Sequence, residues 1–225
     1  MKNLKFKASL SLVGLALAMG LLLFVPAGTI HYWQAWVYLG TYFTASTGIT
    51  LYLMKRDPAL LQRRMTGGPM AEKRPRQKLI MLVASLAFIA LLVVPALDHR
   101  MQWSQVPLPV AVLGDVLTAA GFFIVFIAFR ENSFASATIE VAGHQTVVST
   151  GPYAIVRHPM YVGGILLVLG TPLALGSYWG LLAITVMMPF LLWRLFDEER
   201  FLGNNLPGYR DYCQRVRRRL IPGVF

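Results

Sequence analysis

The chain has 225 residues, 56% of them hydrophobic and 14% charged, with a formal net charge of +11 at pH 7. Soluble domains carry about 25% charged residues, so this composition excludes a water-covered globule and requires lipid over most of the surface. Five or six membrane spans of about 20 residues each would consume over half the chain, leaving one domain with short loops.

Six apolar segments follow in chain order: Ala8–Val25, His31–Met54, Leu79–Leu97, Leu108–Phe129, Met160–Leu175 and Tyr178–Phe196. They predict an all-α, polytopic integral membrane protein of five to six transmembrane helices. The first segment, behind Lys2, Lys5 and Lys7, also has the form of a signal peptide, but the cleavage pattern near Pro26-Ala27-Gly28 is poor. A retained first helix is the simpler reading. The fifth segment has 16 residues, about 24 Å of helix against a hydrocarbon core of about 30 Å. With Pro172 and Gly176 near its end, it pairs with the sixth as a helical hairpin.

The basic residues set an expected topology. If all six segments cross and the N-terminus is cytoplasmic, 20 of the 21 lysines and arginines face the cytoplasm and only Arg100 lies outside. The positive-inside rule produces such a split, and it places both termini in the cytoplasm, with a bacterial inner membrane as the expected setting. The charge lies in short segments beside apolar stretches and no nucleic-acid motif accompanies it, so its partners are membrane lipids and not nucleic acid. Eight of the basic residues fall in Lys55–Lys78, where Pro58, Gly67-Gly68-Pro69 and Pro75 predict an irregular, solvated loop. Cys213 is the only cysteine, which excludes an intrachain disulfide and a cysteine zinc set.

One stretch departs from this grammar. After the fourth segment comes Arg130-Glu131-Asn132-Ser133-Phe134, then a polar connection through Glu140, His144 and Gln145, then Thr150-Gly151-Pro152-Tyr153 and Arg157-His158-Pro159-Met160-Tyr161, with Gly163-Gly164 behind it. Gly151-Pro152 is a turn signal, and His158, which precedes a proline, is biased out of the α region. Pro159 suits the first position of a helix, whose N-terminus favours an anionic ligand group. Downstream lies Arg194-Leu195-Phe196-Asp197-Glu198-Glu199. Each of these has an ordinary alternative: interfacial anchoring for Arg157, His158, Tyr153 and Tyr161, and an i,i+4 ion pair for Arg194 and Glu198.

Taken together, Gly-Pro-Tyr-x-x-x-Arg-His-Pro-x-Tyr from Gly151, followed by Arg194 and Glu198-Glu199, resembles the isoprenylcysteine carboxyl methyltransferase family over roughly residues 110–225. The wider group includes phospholipid N-methyltransferases and small-thiol S-methyltransferases. The resemblance implies S-adenosyl-L-methionine as cofactor. It also implies that Gln145, Thr146, Val147 and Val148 line the cofactor cleft and Tyr153 packs on the cofactor. His158, Pro159, Met160 and Tyr161 would hold its amino-acid and ribose ends, partly through backbone groups, and Glu198 would contact it from the last helix. Arg194, one turn earlier, matches the position assigned to substrate. No metal is implied.

These roles suit the chemistry of a sulfonium cation with a zwitterionic tail, a diol and an aromatic base: a carboxylate for the diol or ammonium, aromatic faces for the cation and ring. The implied arrangement is one methyltransferase domain, with transmembrane helices over 1–107 and a cofactor-binding part over 108–225. Its acceptor would be a lipophilic small molecule or a prenylated group. The rivals are a phospholipid amine or small thiol as acceptor, and, in another class, a non-enzymatic membrane binding or transport protein.

Overall fold

The computed structural model describes residues 2–72, 74–141 and 143–221; Lys73, one of the basic residues counted above, lies outside them. Among the described residues there are eight α-helices and no strand: α1 (Lys2–Ala27), α2 (Trp33–Arg56), α3 (Pro58–Met65), α4 (Pro75–Met101), α5 (Leu108–Glu131), α6 (Pro159–Ala174), α7 (Leu181–Asn205) and α8 (Tyr209–Arg215). Every apolar segment is helical. Three helices, covering Asn3–Ala27, Pro75–Met101 and Leu108–Glu131, are long and apolar enough to cross a membrane by length and composition, and Pro159–Ala174 is a shorter apolar helix. Helices α2 and α7 are of similar length, 24 and 25 residues, but more polar; α7 carries Arg194, Asp197, Glu198, Glu199 and Arg200 toward its end. The apolar outer faces, with Leu10, Leu17, Leu86, Phe123 and Leu182 exposed, fit an integral membrane protein.

The closest packing joins α5 to α6, and small residues permit it. A Cβ on Gly114 would lie 2.1 Å from the Ala174 nitrogen, and one on Gly163 would lie 2.6 Å from the Gly121 carbonyl oxygen. Two glycines on each helix, seven residues apart, thus let the backbones meet along the seam. Helix α7 packs instead along α4, where Ala87, Leu91, Ile184 and Met187 form a core with Val168. The predicted hairpin therefore exists as a connection, through residues 175–180, whose two arms lean on different neighbours. That splay leaves space between α6 and α7.

Lys55–Lys78 is more ordered than its composition suggests. Asp57 caps α3, its carboxylate accepting the Leu60 amide at 2.9 Å, and Pro58 and Pro75 open α3 and α4 at positions that need no amide donor. Leu60 and Leu61 bury one face of α3 against Leu53, Phe129 and Ala135. Pro58 and Pro75, which read as loop-makers, are helix starts, while Gly67-Gly68-Pro69 lies in the irregular stretch between α3 and α4.

At the end of the bundle opposite the glycine-proline turn, Asp98 is buried and fully engaged. Its carboxylate accepts the Ser104 amide at 2.7 Å, the Ser104 hydroxyl at 2.6 Å and the Ser177 hydroxyl at 2.5 Å. The Ser177 hydroxyl also accepts the Gly180 amide at 3.0 Å, so one carboxylate ties the α4–α5 connection to the α6–α7 connection.

Candidate active site

Thr150-Gly151-Pro152-Tyr153 folds as predicted into a tight turn, a single 3-10 turn over Gly151–Ala154. Gly151 has φ +55°, which glycine adopts without strain, and a Cβ there would fall 2.9 Å from the Glu131 carboxyl carbon. Glu131 accepts a hydrogen bond from the Thr150 hydroxyl, fastening the turn to the end of α5. His158 sits outside the helix at φ −127°, and Pro159 begins α6. Burial pushes the Tyr153 hydroxyl up to about 12, against the lowering effect of a hydrogen bond with Asn132.

Glu199 organises the base of this region. One of its carboxylate oxygens takes the Arg157 guanidinium at 2.9 Å and the His158 Nε2 at 3.1 Å; the other takes the Arg219 Nε at 2.9 Å. Burial alone would raise this carboxyl, but hydrogen bonds from His158 and Arg219 and the charges of His158 and Arg157 hold it below its ordinary value. The Arg157 amide donates to the Arg218 carbonyl and the His158 amide to the Arg219 carbonyl, at 2.9 and 3.1 Å. The C-terminal segment thereby occupies the His158 N–H, which the sequence reading had left available for a ligand. Glu198, one residue earlier on α7, faces elsewhere and accepts the Tyr161 hydroxyl at 2.6 Å. The two carboxylates are divided as their 100° separation on a helix demands.

The ten residues to which the resemblance assigns cofactor contacts line one cleft: Gln145, Thr146, Val147, Val148, Tyr153, His158, Pro159, Met160, Tyr161 and Glu198. Its empty space is about 750 Å³, a figure that takes in the open mouth. Asn132, Phe134, Glu140, Tyr209 and Tyr212 complete the wall. The buried Tyr209 hydroxyl has no hydrogen-bond partner among the described residues, while the Tyr212 hydroxyl donates to the Tyr153 carbonyl at 2.8 Å.

Arg194 stands apart from the cleft. It lines a second, larger and mostly apolar cavity of about 1990 Å³ of empty space, mouth included, lined by residues of α1 to α7 and of the connection between α5 and α6. Ser136, Thr138, Ile139, Met160, Tyr161 and Glu198 line both cavities and so form their junction. The i,i+4 pair with Glu198 is not the contact that Arg194 makes. Its Nη1 donates to the Glu72 carboxylate at 2.8 Å and to the Gln77 Oε1 at 2.7 Å, and its Nη2 to the Ala137 carbonyl at 2.8 Å. Gln77, fully buried, passes the link on to Asp197 at 2.5 Å, and Arg74 lies 4.1 Å over the Phe201 ring.

Several of these residues escaped the sequence reading. Glu72, Gln77 and Arg64 come from the segment taken as a solvated loop, and Arg219 comes from the end of the chain. One signal was present: Asp57 and Glu72 are the only acids among the eight bases of Lys55–Lys78, and both are used, one as a helix cap and one as the counter-ion of Arg194.

The chain is similar to several known proteins. Residues 110–207 match the phospholipid methyltransferase family. The chain is 29% identical to a cobalt-zinc-cadmium resistance protein of Cupriavidus metallidurans over 46% of its own length and 49% of that protein's. It is 29% identical to protein-S-isoprenylcysteine O-methyltransferase B of Arabidopsis thaliana, over 61% and 70% of the two lengths. It is 31% identical to a delta(14)-sterol reductase of Mus musculus, over 52% and 32%. The matched region spans about half the length of the metal-resistance protein. The family match and the isoprenylcysteine relative support, at modest identity, the group of membrane methyltransferases that act on isoprenylcysteine or phospholipid.

Proposed function

We propose that this protein is an integral-membrane, S-adenosyl-L-methionine-dependent methyltransferase of a lipophilic acceptor, with carboxyl O-methylation of an isoprenylcysteine-like group favoured. The observation that carries this reading is the junction: a cleft of mixed polar and apolar lining that holds all ten motif residues meets a mostly apolar cavity along Ser136, Thr138, Ile139, Met160, Tyr161 and Glu198. Such a pair of spaces suits a water-soluble cofactor on one side and a lipid-soluble acceptor on the other.

The residues present fit the cofactor. The cleft offers carboxylates from Glu198 and Glu140, aromatic faces from Tyr153, Tyr161 and Phe134, the first turn of α6 and an unpartnered buried hydroxyl at Tyr209. Glu198 and the α6 N-terminus would take its polar ends, and Tyr153 would pack on it. When bound, the cofactor supplies an electrophilic methyl group on a sulfonium sulfur. The protein's own part is to orient the acceptor and keep water out. Tyr161 and Glu198, hydrogen-bonded to each other, stand where the two spaces meet. Arg194, held by Glu72, Gln77 and Ala137, gives the wall of the acceptor cavity a fixed positive charge.

In this reading residues 1–225 form one catalytic unit, since α1, α2 and α3 supply walls of the acceptor cavity. The cleft faces the cytoplasm with both termini, as the basic residues require. A second reading, phospholipid N-methylation, is favoured by the family match over 110–207.

The test is binding of S-adenosylhomocysteine by calorimetry in detergent, followed by methyl transfer to prenylcysteine, phosphatidylethanolamine and small-thiol acceptors. Binding with preferred transfer to the first is expected. Transfer to phosphatidylethanolamine alone would select the second reading, and absence of binding would leave a non-enzymatic membrane protein.

A further inference from the structure

Arg64, on α3, lies outside the region that matches the methyltransferase family. Its guanidinium nevertheless lines the acceptor cavity, together with Arg194 and Glu198. The charges around this junction are unequally provided for. Arg194 has the Glu72 carboxylate at 2.8 Å, and Glu198 has the Tyr161 hydroxyl at 2.6 Å. Arg64 donates from Nη1 to the Ser136 carbonyl at 2.9 Å and lies 5.0 Å over the Phe129 ring. Among the described residues no carboxylate lies within ion-pair distance of it. Burial, and then the like charge of Arg194, work against this cation, and the more distant charge of Glu198 offsets them only in part.

A guanidinium has five donors and is never neutral in a protein, so placing it in an apolar cavity without a counter-ion is costly. Evolution of a purely apolar wall would have put leucine or methionine there. Helix α3 is fixed in place beneath this charge: Asp57 caps it, Leu60 and Leu61 anchor it, and neighbouring Arg63 donates to the Ser133 carbonyl. The cavity is mostly apolar in its lining and runs along α7. Met187 and Arg194 both line it and are seven residues apart on α7, about 10 Å of helix.

We propose that Arg64 is the specificity-determining residue for the acceptor's head, pairing with an oxyanion on a molecule whose apolar chain fills the cavity. The inference rests on the methyltransferase reading for its meaning, but it predicts a binding preference that can be measured without the reaction. An acceptor carboxylate and a phospholipid phosphate share this oxyanion chemistry. Arg64 aligns the head near the junction and takes no proton, so it is a binding and positioning group.

The experiment measures binding of N-acetyl-S-farnesylcysteine, of its primary amide and of phosphatidylglycerol to the full chain in non-ionic detergent, by tryptophan fluorescence. S-Adenosylhomocysteine affinity is recorded in parallel. The wild type should prefer an anionic ligand to the amide, and Arg64→Gln should weaken anion binding by about 10- to 100-fold, the range for a charge-assisted hydrogen bond. Arg64→Lys should recover part of the loss, while amide and S-adenosylhomocysteine affinities hold. Which anion loses affinity identifies the source of the oxyanion. Equal binding of anion and amide by the wild type would overturn the inference. So would equal losses for both ligands in Arg64→Gln and Arg64→Lys, which is the outcome if Arg64 serves only to hold the Ser136 carbonyl. Failure to bind S-adenosylhomocysteine with the anion preference intact would sink the methyltransferase reading alone.

Discussion

Polar side chains are buried at both ends of the helical bundle, and the two ends use them differently. At the Asp98 end the contacts close on the protein: one carboxylate accepts two hydroxyls and an amide, and two interhelical connections are locked together. At the Glu199 end the network is larger and borders open space. Glu199 gathers Arg157, His158 and Arg219, Arg194 is held by Glu72 and Gln77, and the Tyr209 hydroxyl beside the cleft has no partner among the described residues. A closed network of this kind is a latch. An open one, paid for by the packing around it, is where a ligand can complete what the fold leaves unsatisfied.

The largest expected effect tests how far the open end depends on its own internal lock. Glu199→Gln leaves Arg157, His158 and Arg219 without their shared counter-ion, and loss of one partner from a buried pair costs about 3–5 kcal/mol. Chemical denaturation in detergent should show that loss, with S-adenosylhomocysteine binding falling alongside it. A stability within about 0.5 kcal/mol of wild type would mean that Glu199 is a surface charge. The same group gives the pH dependence. Its carboxyl is held below the ordinary 4.5, so its contribution is fully present above that value and is lost as pH falls through the depressed folded value. Acid unfolding of the wild type should therefore have a component that Glu199→Gln removes.

Glu198→Gln sharpens the contrast from the ligand side. It should weaken S-adenosylhomocysteine binding by about 10- to 100-fold, corresponding to about 1.5–3 kcal/mol, and leave the melting temperature nearly unchanged. An unaltered dissociation constant would detach Glu198 from the cofactor. Arg194→Lys should lower turnover while cofactor affinity stays constant, because lysine lacks the planar fork that spans Glu72, Gln77 and the Ala137 carbonyl. Near-normal methyl transfer would remove Arg194 from the acceptor site. The smallest effect belongs to the closed end. Asp98→Asn keeps the shape but weakens three hydrogen bonds, and a loss of about 1–2 kcal/mol in stability with unchanged ligand affinity is expected. A change in cofactor affinity would show that the two ends are coupled through α4.

The periodicity and length of the apolar segments were enough to read the helices, because a chain in lipid has to satisfy its backbone within each segment. The glycine-proline turn and the start of α6 were legible for an equally local reason: Gly151, Pro152, His158 and Pro159 restrict the backbone where they stand. The ten cleft residues were found because they lie in two short runs, 145–161 and one turn of α7, so that resemblance could mark them. What joins those runs was not readable. Glu72 meets Arg194 across 122 positions, Arg157 meets the segment at 217–219 across about 60, and Arg64 reaches the cavity from a stretch whose prolines and bases looked like loop. No local rule chooses among the 21 basic residues. Which cation is paired and which is left facing a cavity depends on how α6 and α7 diverge toward α5 and α4, and that is settled only when the glycine seam and the α4–α7 core pack together.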